Sequence, residues 1–140
     1  MTNNRRRNHS YENYVCPDCF RRLPECTCED AMPPYKLIWI DLAIQDHIRI
    51  LNEKGYYTKF CCEGHGKDDY MDVMFKTRCE PPMDNLPDGF KYNKKWNRIE
   101  SDKYKDLDGG YESKEKYLDS LLAWCNELPE KEVKKNNDWL

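Results

Sequence analysis

The sequence predicts an α+β fold in which an N-terminal zinc knuckle precedes a mostly antiparallel sheet of four to five strands with two helices. Three observations predict it. Four cysteines lie between positions 16 and 28. Two later stretches carry apolar residues at helical spacing, and several short stretches are rich in β-branched and aromatic residues. Their order after the knuckle is β-α-β-β-β-β-α, and we expect both helices to cover one face of the sheet.

The two helices are predicted from their apolar spacing and their end residues. The first spans 41–54, with Asp41 as N-cap and Gly55 as the stop. The second begins at a Ser113 cap and ends near Leu128. Their apolar stripes are Ile44, Ile48 and Leu51 in the first helix, and Leu118, Leu121, Leu122 and Cys125 in the second. We therefore expect Cys125 to lie in the core.

Strands are predicted over 37–40, 56–62 and 70–76, with two further short strands at 90–92 and 98–101. Neighbouring residues of a strand point to opposite faces of the sheet. We therefore expect one of the two adjacent cysteines at 61 and 62 to be core. The other faces the following loop, and Tyr56 and Phe60 share the face of Cys62.

The chain of 140 residues is the length of one domain. Its predicted parts are a flexible polar and basic arm over 1–15, the zinc knuckle over 16–30, the α+β domain over 35–129 and a charged tail over 130–140. Arg5, Arg6 and Arg7 give the arm its basic character. Pro33 and Pro34 separate the knuckle from the domain.

Charge and hydropathy exclude several classes of protein. The 23 basic and 26 acidic residues give a net charge of −3, which argues against a generic basic nucleic-acid clamp. No apolar run approaches the roughly 18 residues of a membrane span, and no leader peptide is visible. We therefore expect a cytoplasmic protein without a membrane partner. The eight cysteines are then metal ligands or free thiols sooner than disulfides.

The knuckle has the ligand supply of a structural zinc site. Cys16-x-x-Cys19 and Cys26-x-Cys28 offer four thiolates, the tetrahedral set that zinc prefers. The surrounding residues are too polar to fold by burial alone, and zinc binding supplies roughly 10–16 kcal/mol in such peptides. Two disulfides, an iron–sulfur centre and a redox thiol pair remain alternatives.

The loop that follows the two adjacent cysteines is the second concentration of chemistry. Gly64 and Gly66 bracket His65, and glycines let a backbone approach a ligand closely. His65 and Cys62 are the candidate catalytic residues, as general base or metal ligand and as ligand or nucleophile. Candidate ligand-binding residues are Gly64, His65, Gly66, Lys67 and Trp96.

The same loop has two further interpretations. Cys79 follows the next strand, so Cys62, His65 and Cys79 can form a second metal site with Glu63 or Asp69 nearby. A tight turn with a surface histidine is the simpler alternative.

Aromatic residues are numerous enough to suggest stacking or an interface. Those to examine are Trp39, Tyr92, Trp96 and Trp124. One local basic stripe adjoins two of them, and it consists of Lys91, Lys94, Lys95 and Arg98. The stripe is either part of a binding surface or the solvated face of a hairpin.

These motifs, in this order, resemble a group of small uncharacterised proteins from Firmicutes and their phages. The resemblance covers about residues 15–129. It is carried by Cys-Pro-x-Cys and Cys-Thr-Cys in the knuckle, "LNEKGYYTKFCCEGH" at 51–65, "PPMDNLPDGF" at 81–90 and "LLAWCNELP" at 121–129. It implies a phage-type protein with this architecture, and it supplies no activity that can be carried over to this chain.

The stretch "GYYTKFCCEGH" is also distantly similar to the Ser-x-Cys-Ser-Gly-Arg element of the wybutosine-synthesis tRNA methyltransferase family. Cys62 and Gly64 match the cysteine and glycine of that element, while His65 stands in place of its arginine and its serine spacing is absent. This similarity implies an RNA substrate.

Three classes of function are compatible with the sequence. The favoured one is a small zinc-binding module, phage-encoded as the resemblance implies, that binds a nucleotide, a nucleic acid or a host protein. The alternative is an enzyme that acts at the Cys62/His65 loop on a nucleotide or RNA. A purely structural role is the third. No phosphate-binding glycine loop or zinc-protease motif occurs in the chain.

Overall fold

The computed structural model describes residues 13–22, 25–26, 28, 38–65, 67–105 and 111–131, and it confirms the α+β class. The elements are β1 (Tyr14–Val15), β2 (Ile38–Trp39), a 3-10 turn (Leu42–Ile44), α1 (Gln45–Glu53), β3 (Thr58–Cys62), β4 (Asp72–Phe75), β5 (Phe90–Asn93), β6 (Arg98–Ser101) and α2 (Tyr111–Glu127). The predicted strand at 98–101 matches β6 in both bounds, whereas α2 begins before the predicted Ser113 cap.

The strands form two antiparallel sheets. Four of them lie in the order β3-β4-β6-β5, so that β3 and β5 are the edges of the larger sheet. β1 pairs with β2 in a separate two-stranded sheet. The knuckle therefore lies between the two strands of this small sheet in the sequence.

One hydrophobic core joins the helices to a single face of the larger sheet. The sheet supplies Val73, Phe75 and Ile99, α1 supplies Ile48 and Leu51, and α2 supplies Leu121, Trp124 and Cys125. Cys125 is fully buried, as expected. Tyr104, which follows β6, is also fully buried, although nothing in the sequence pattern predicts it.

A β-bulge between Thr58 and Phe60 changes which residues of β3 face the core. Cys61 pairs with Val73 and packs against the core, while Cys62 pairs with Asp72 on the opposite face. The expectation that one cysteine is core is therefore confirmed. The expectation that Tyr56 shares the face of Cys62 is wrong, because the bulge interrupts the alternation and Tyr56 is buried in the core.

The first strand lies within the stretch predicted to be a flexible arm. Val15 is fully buried, and the amide of Ile40 donates to the carbonyl of Asn13. Residues 1–12, the Pro33–Pro34 separator and the tail from 132 onward lie outside the described residues. Within the described ranges, no helix is long and apolar enough to cross a membrane.

Candidate functional site

The knuckle begins directly at the end of β1. The amide of Phe20 donates to the carbonyl of Cys16 at 2.7 Å, and the amide of Cys16 donates to the carbonyl of Arg21 at 2.9 Å. Phe20 has a φ of 58°, which reverses the chain after Cys19. Val15 then pairs with Arg22, so the first cysteine pair is held in a tight loop on the end of the strand.

The structure brings the four predicted metal ligands together. The sulfurs of Cys16, Cys19, Cys26 and Cys28 all lie within 4.8 Å of one another. The Sγ atoms of Cys16 and Cys28 are 3.9 Å apart, and tetrahedral ligands with bonds of ~2.3 Å lie about 3.8 Å apart. The amide of Asp18 also donates to the Cys16 sulfur. These four cysteines therefore form a group that can bind a metal ion.

Close contact among the four thiols spreads their pKa values. Thiol hydrogen bonds, that with Cys26 first, raise the pKa of Cys28 to about 12. Burial raises the pKa of Cys19, whereas the backbone amide of Cys28 lowers the pKa of Cys26. All eight cysteines of the chain are free thiols. A metal ion must displace the protons of such a group, so its affinity falls as the pH falls.

The Cys-Cys-Glu-Gly-His loop is fastened at several points. The amide of Glu63 donates to Oδ2 of Asp41 at 3.1 Å, and the amide of His65 donates to Oδ2 of Asp69 at 2.9 Å. The hydroxyl of Tyr104 donates to the carbonyl of Glu63. Lys114 forms an ion pair with the Glu63 carboxylate at 2.6 Å. The loop is therefore held by the segment after β2, by α2 and by the segment after β6.

The glycine requirement of this loop arises from packing. Gly64 has a φ of 78°, and a Cβ there would lie 2.6 Å from Cε2 of Tyr104 and 2.9 Å from the carbonyl oxygen of Tyr70. The neighbour that demands glycine is thus a buried tyrosine. Gly66 lies outside the described residues, and Lys67 is exposed.

A second group of ligand-type atoms lies at this loop, with a membership that differs from the prediction. Atoms of Asp41, Cys62 and His65 lie within 4.8 Å of one another. Cys79 lies in the turn after β4, where its amide donates to the carbonyl of Lys76, and it is not part of this group. Asp41 is predicted only as a helix cap, yet its side chain makes no cap hydrogen bond. A carboxylate between a strand and a helix is the one clue that the sequence offers.

The surroundings of Cys62 do not favour a thiolate nucleophile. Burial raises its pKa, and Asp41, Asp72 and Asp69 raise it further, although the amide of Gly64 acts in the opposite direction. Reactive cysteines usually have a lowered pKa. The Sγ of Cys62 lies 3.9 Å from Nε2 of His65. The raised pKa and the 3.9 Å separation therefore give no sign of a nucleophile activated by the histidine.

A surface of exposed aromatic rings and lysines lies at the end of the larger sheet that contains the turn between β5 and β6. Phe60 is 65% exposed and Trp96 51% exposed. The ammonium of Lys59 lies 6.0 Å from the Phe60 ring centre, and that of Lys95 lies 5.5 Å from the Trp96 ring centre. We call Lys59, Phe60, Lys76, Lys95 and Trp96 the aromatic–basic face.

A depression of about 470 Å³ runs across this face. Its described lining includes Lys59, Lys76 and Lys95 and contains no carboxylate. A second groove of about 780 Å³ shares Lys59 and Lys76 with it and extends to the half-exposed rings of Tyr57 and Trp39 beside the knuckle. The two depressions adjoin at Lys59 and Lys76, and the lining of the larger one also includes the carboxylates of Asp18 and Glu53.

The predicted basic stripe is divided in the structure. Arg98 forms ion pairs with Glu100 at 2.6 Å and with Asp72 at 3.4 Å, so its charge is neutralised locally. Tyr92 packs against the core, and its hydroxyl donates to Asn97. Of the tryptophans singled out in the sequence, Trp96 is exposed with a lysine over its ring, Trp39 is exposed and packs against Tyr14, and Trp124 is buried in the core.

A comparison with known proteins found no family model, no curated sequence and no solved structure that matches this chain.

Proposed function

We propose that this chain is a small zinc-binding module that binds single-stranded nucleic acid through the aromatic–basic face. The observation that carries the proposal is that the exposed rings of Phe60 and Trp96 each have a lysine beside them, and that Trp96 and the three lysines of the face line a depression whose described lining holds no carboxylate. Proteins that bind single strands combine bases stacked on aromatic side chains with cations along the phosphate backbone.

Zinc is the metal proposed for the cysteine group. Four thiolates are a soft ligand set, and a closed tetrahedral site of four cysteines is a usual structural zinc site of small modules. The knuckle buries few apolar side chains of its own. Cys16 and the preceding Val15 are buried, whereas Asp18, Arg21 and Glu25 are exposed. The ion would therefore hold the loop between β1 and β2 and one side of the larger groove.

The local chemistry favours nucleic acid over a host protein. The chain as a whole is acidic, yet the three lysines of the face lie together without a described acidic neighbour in the depression. An unpaired cluster of this kind attracts polyanions. A base has a flat aromatic surface on both sides, so it can stack on Phe60 or Trp96 without a shaped pocket.

The test is fluorescence anisotropy with labelled single-stranded RNA and DNA of about 20 nucleotides. We expect binding by the wild-type chain and a loss of about 30-fold or more when both Phe60 and Trp96 are changed to alanine, since each stacked base contributes ~1–3 kcal/mol and 1.4 kcal/mol is tenfold. Binding of duplex DNA should be weaker, because its bases are not free to stack.

A matched control separates this face from general charge effects. Lys103, Lys105 and Lys116 are exposed and lie elsewhere, so reversing them to glutamate changes the net charge as much as reversing Lys59, Lys76 and Lys95. The proposal requires that binding is abolished when Lys59, Lys76 and Lys95 are reversed and is retained when the three control lysines are reversed. Equal loss from both sets would contradict the proposal, as would binding of an acidic protein at this face by a chain that binds no nucleic acid.

A further inference from the structure

We infer that Asp41, Cys62 and His65 form a second, mononuclear zinc-type metal site with an open coordination position. This site is distinct from the cysteine knuckle and does not depend on the proposed nucleic-acid binding. The three side chains come from the segment after β2, the end of β3 and the loop after β3, and their ligand atoms lie within 4.8 Å of one another.

The distances are those of ligands arranged around one ion. Nε2 of His65 lies 3.9 Å from Sγ of Cys62 and 3.9 Å from Oδ2 of Asp41. Bonds of about 2.0–2.3 Å in a tetrahedron place two ligand atoms roughly 3.3–3.8 Å apart. The His65 side chain is 65% exposed, so a small rotation of the ring is sufficient to close the remaining gap.

The backbone around the ligands is fixed before any ion binds. The Glu63 amide donates to the same Asp41 carboxylate, which orients that ligand toward the loop. The His65 amide donates to Asp69, and Gly64 is packed against Tyr104. Outer contacts that orient metal ligands are a regular part of metal sites. A turn that served only to reverse the chain would not need an aspartate from a distant segment.

The ligand set indicates which ion it takes. A thiolate, an imidazole and a carboxylate together suit a metal of intermediate softness, foremost Zn²⁺, and do not suit Mg²⁺ or Ca²⁺, which prefer oxygen. Three protein ligands leave one tetrahedral position free, as in catalytic zinc sites. A water molecule or an anionic group of a ligand could occupy that position, and His65 itself is exposed to solvent.

The site is tested by metal stoichiometry on the full chain. Purified protein is loaded with Zn²⁺, desalted and measured by native mass spectrometry, and then titrated with Co²⁺ after metal removal. We expect two equivalents for the wild type. His65→Ala and Cys62→Ser should each retain the knuckle ion and lose the other, with affinity for the second ion reduced on the order of 100-fold or more, because even outer-shell changes cost 10–100-fold.

Two controls keep the result interpretable. Cys79→Ser removes a thiol outside the group and should keep both ions. His65 is exposed, so in the metal-free state its alanine variant should unfold at the same temperature as the metal-free wild type, which separates loss of a ligand from loss of the fold. A wild-type stoichiometry of one, or a second equivalent that survives both His65→Ala and Cys62→Ser, would overturn the inference.

Discussion

Nε2 of His65 lies 3.9 Å from Oδ2 of Asp41, a residue that belongs to the segment between β2 and α1. The same Asp41 oxygen accepts a hydrogen bond from the amide of Glu63. One carboxylate therefore joins the start of the helical segment to the loop after β3. Asp41 therefore lies beside Glu63 and His65 in the fold, although it is more than 20 residues away from them in the sequence.

Substitution of Gly64 by alanine should destabilise the protein strongly. The new Cβ would lie 2.6 Å from the Tyr104 ring, in a backbone conformation that L residues rarely adopt. We expect a loss of about 3 kcal/mol or more, since overpacking costs ~1–3 kcal/mol and the left-handed conformation a further ~1–2. Urea unfolding measures it.

Gly55→Ala is the matched comparison for this prediction. Gly55 also has a positive φ, and its Cβ would lie 3.1 Å from Cβ of Lys131, a tight contact but not the overlap found at Gly64. We expect it to cost mainly the conformational part, about 1–2 kcal/mol. Equal losses for the two variants would show that the contact with Tyr104 is not the reason for glycine at 64.

Lys54 should be a major determinant of stability at the C-terminal end of α2. Its ammonium donates to the carbonyls of Cys125, Asn126 and Leu128 at 2.6–2.9 Å. A cation at this end satisfies free carbonyls and the helix dipole. Lys54→Met should lower the free energy of unfolding by about 1.5–3 kcal/mol.

The control for Lys54 is Lys116→Met, on the exposed side of α2. Its effect should stay within about 0.5 kcal/mol. If both methionine variants unfold at the wild-type urea concentration, the three carbonyl contacts of Lys54 do not persist in solution.

His47 should make the fold sensitive to mild acid. Burial lowers its pKa, Nε2 bonds to the Leu118 carbonyl at 2.8 Å, and Nδ1 has no partner among the described residues. The unfolded chain therefore takes up a proton at a higher pH than the folded chain. The contribution of neutral His47 to the free energy of unfolding is complete above about pH 6.5, the ordinary histidine pKa. It is lost as the pH falls toward the lower pKa that His47 has in the folded chain.

The measurement is the free energy of unfolding at about pH 7.5 and about pH 5.5, on either side of the ordinary histidine pKa, for the wild type and for His47→Gln. We expect a larger fall in the wild type, because each unit of pKa depression corresponds to ~1.4 kcal/mol. Parallel changes in the two proteins would assign the acid sensitivity to other groups.

Removal of metal from the knuckle should release the small sheet. Val15 and Ile38 connect the knuckle to the core, and Tyr14 packs edge-on against Trp39 at 5.1 Å. A chelator should therefore increase amide hydrogen exchange in residues 13–22 and lower the free energy of unfolding by ~3 kcal/mol or more, as loss of a tightly bound ligand does.

The variant Cys28→Ser should reproduce the effect of the chelator, whereas Cys79→Ser should not. Unchanged exchange after complete metal removal would mean that the four cysteines hold the loop without an ion.

The sequence contained enough information for the knuckle and most of the main body. Cysteine spacing predicted that the thiols at 16, 19, 26 and 28 lie together, because residues so close in sequence need only local turns to meet. The stripe that includes Cys125 identified one helix face. Short strands were located within a few residues, since alternation is a local property.

The parts that were not predicted depend on long-range contacts. The bulge near Phe60 inverts the side-chain alternation, and no residue pattern indicates it. The burial of Tyr104 depends on the glycine at 64. Aspartate before a helix is usually interpreted as an N-cap, so the sequence gives no reason to place Asp41 beside His65. Their proximity depends on the packing of the segment after β2 against the end of β3. Cys79 was expected at the same loop, but the turn after β4 keeps it out of that group.

We propose that Lys59, Lys76 and Lys95 contact the phosphates of a single strand. The most direct measurement is the slope of the logarithm of the binding constant for single-stranded RNA against the logarithm of salt concentration. Each phosphate contact contributes ~0.7 to this slope, so changing the three lysines to glutamine should reduce its magnitude by about 2. A slope equal to that of the wild type would contradict the proposed binding face.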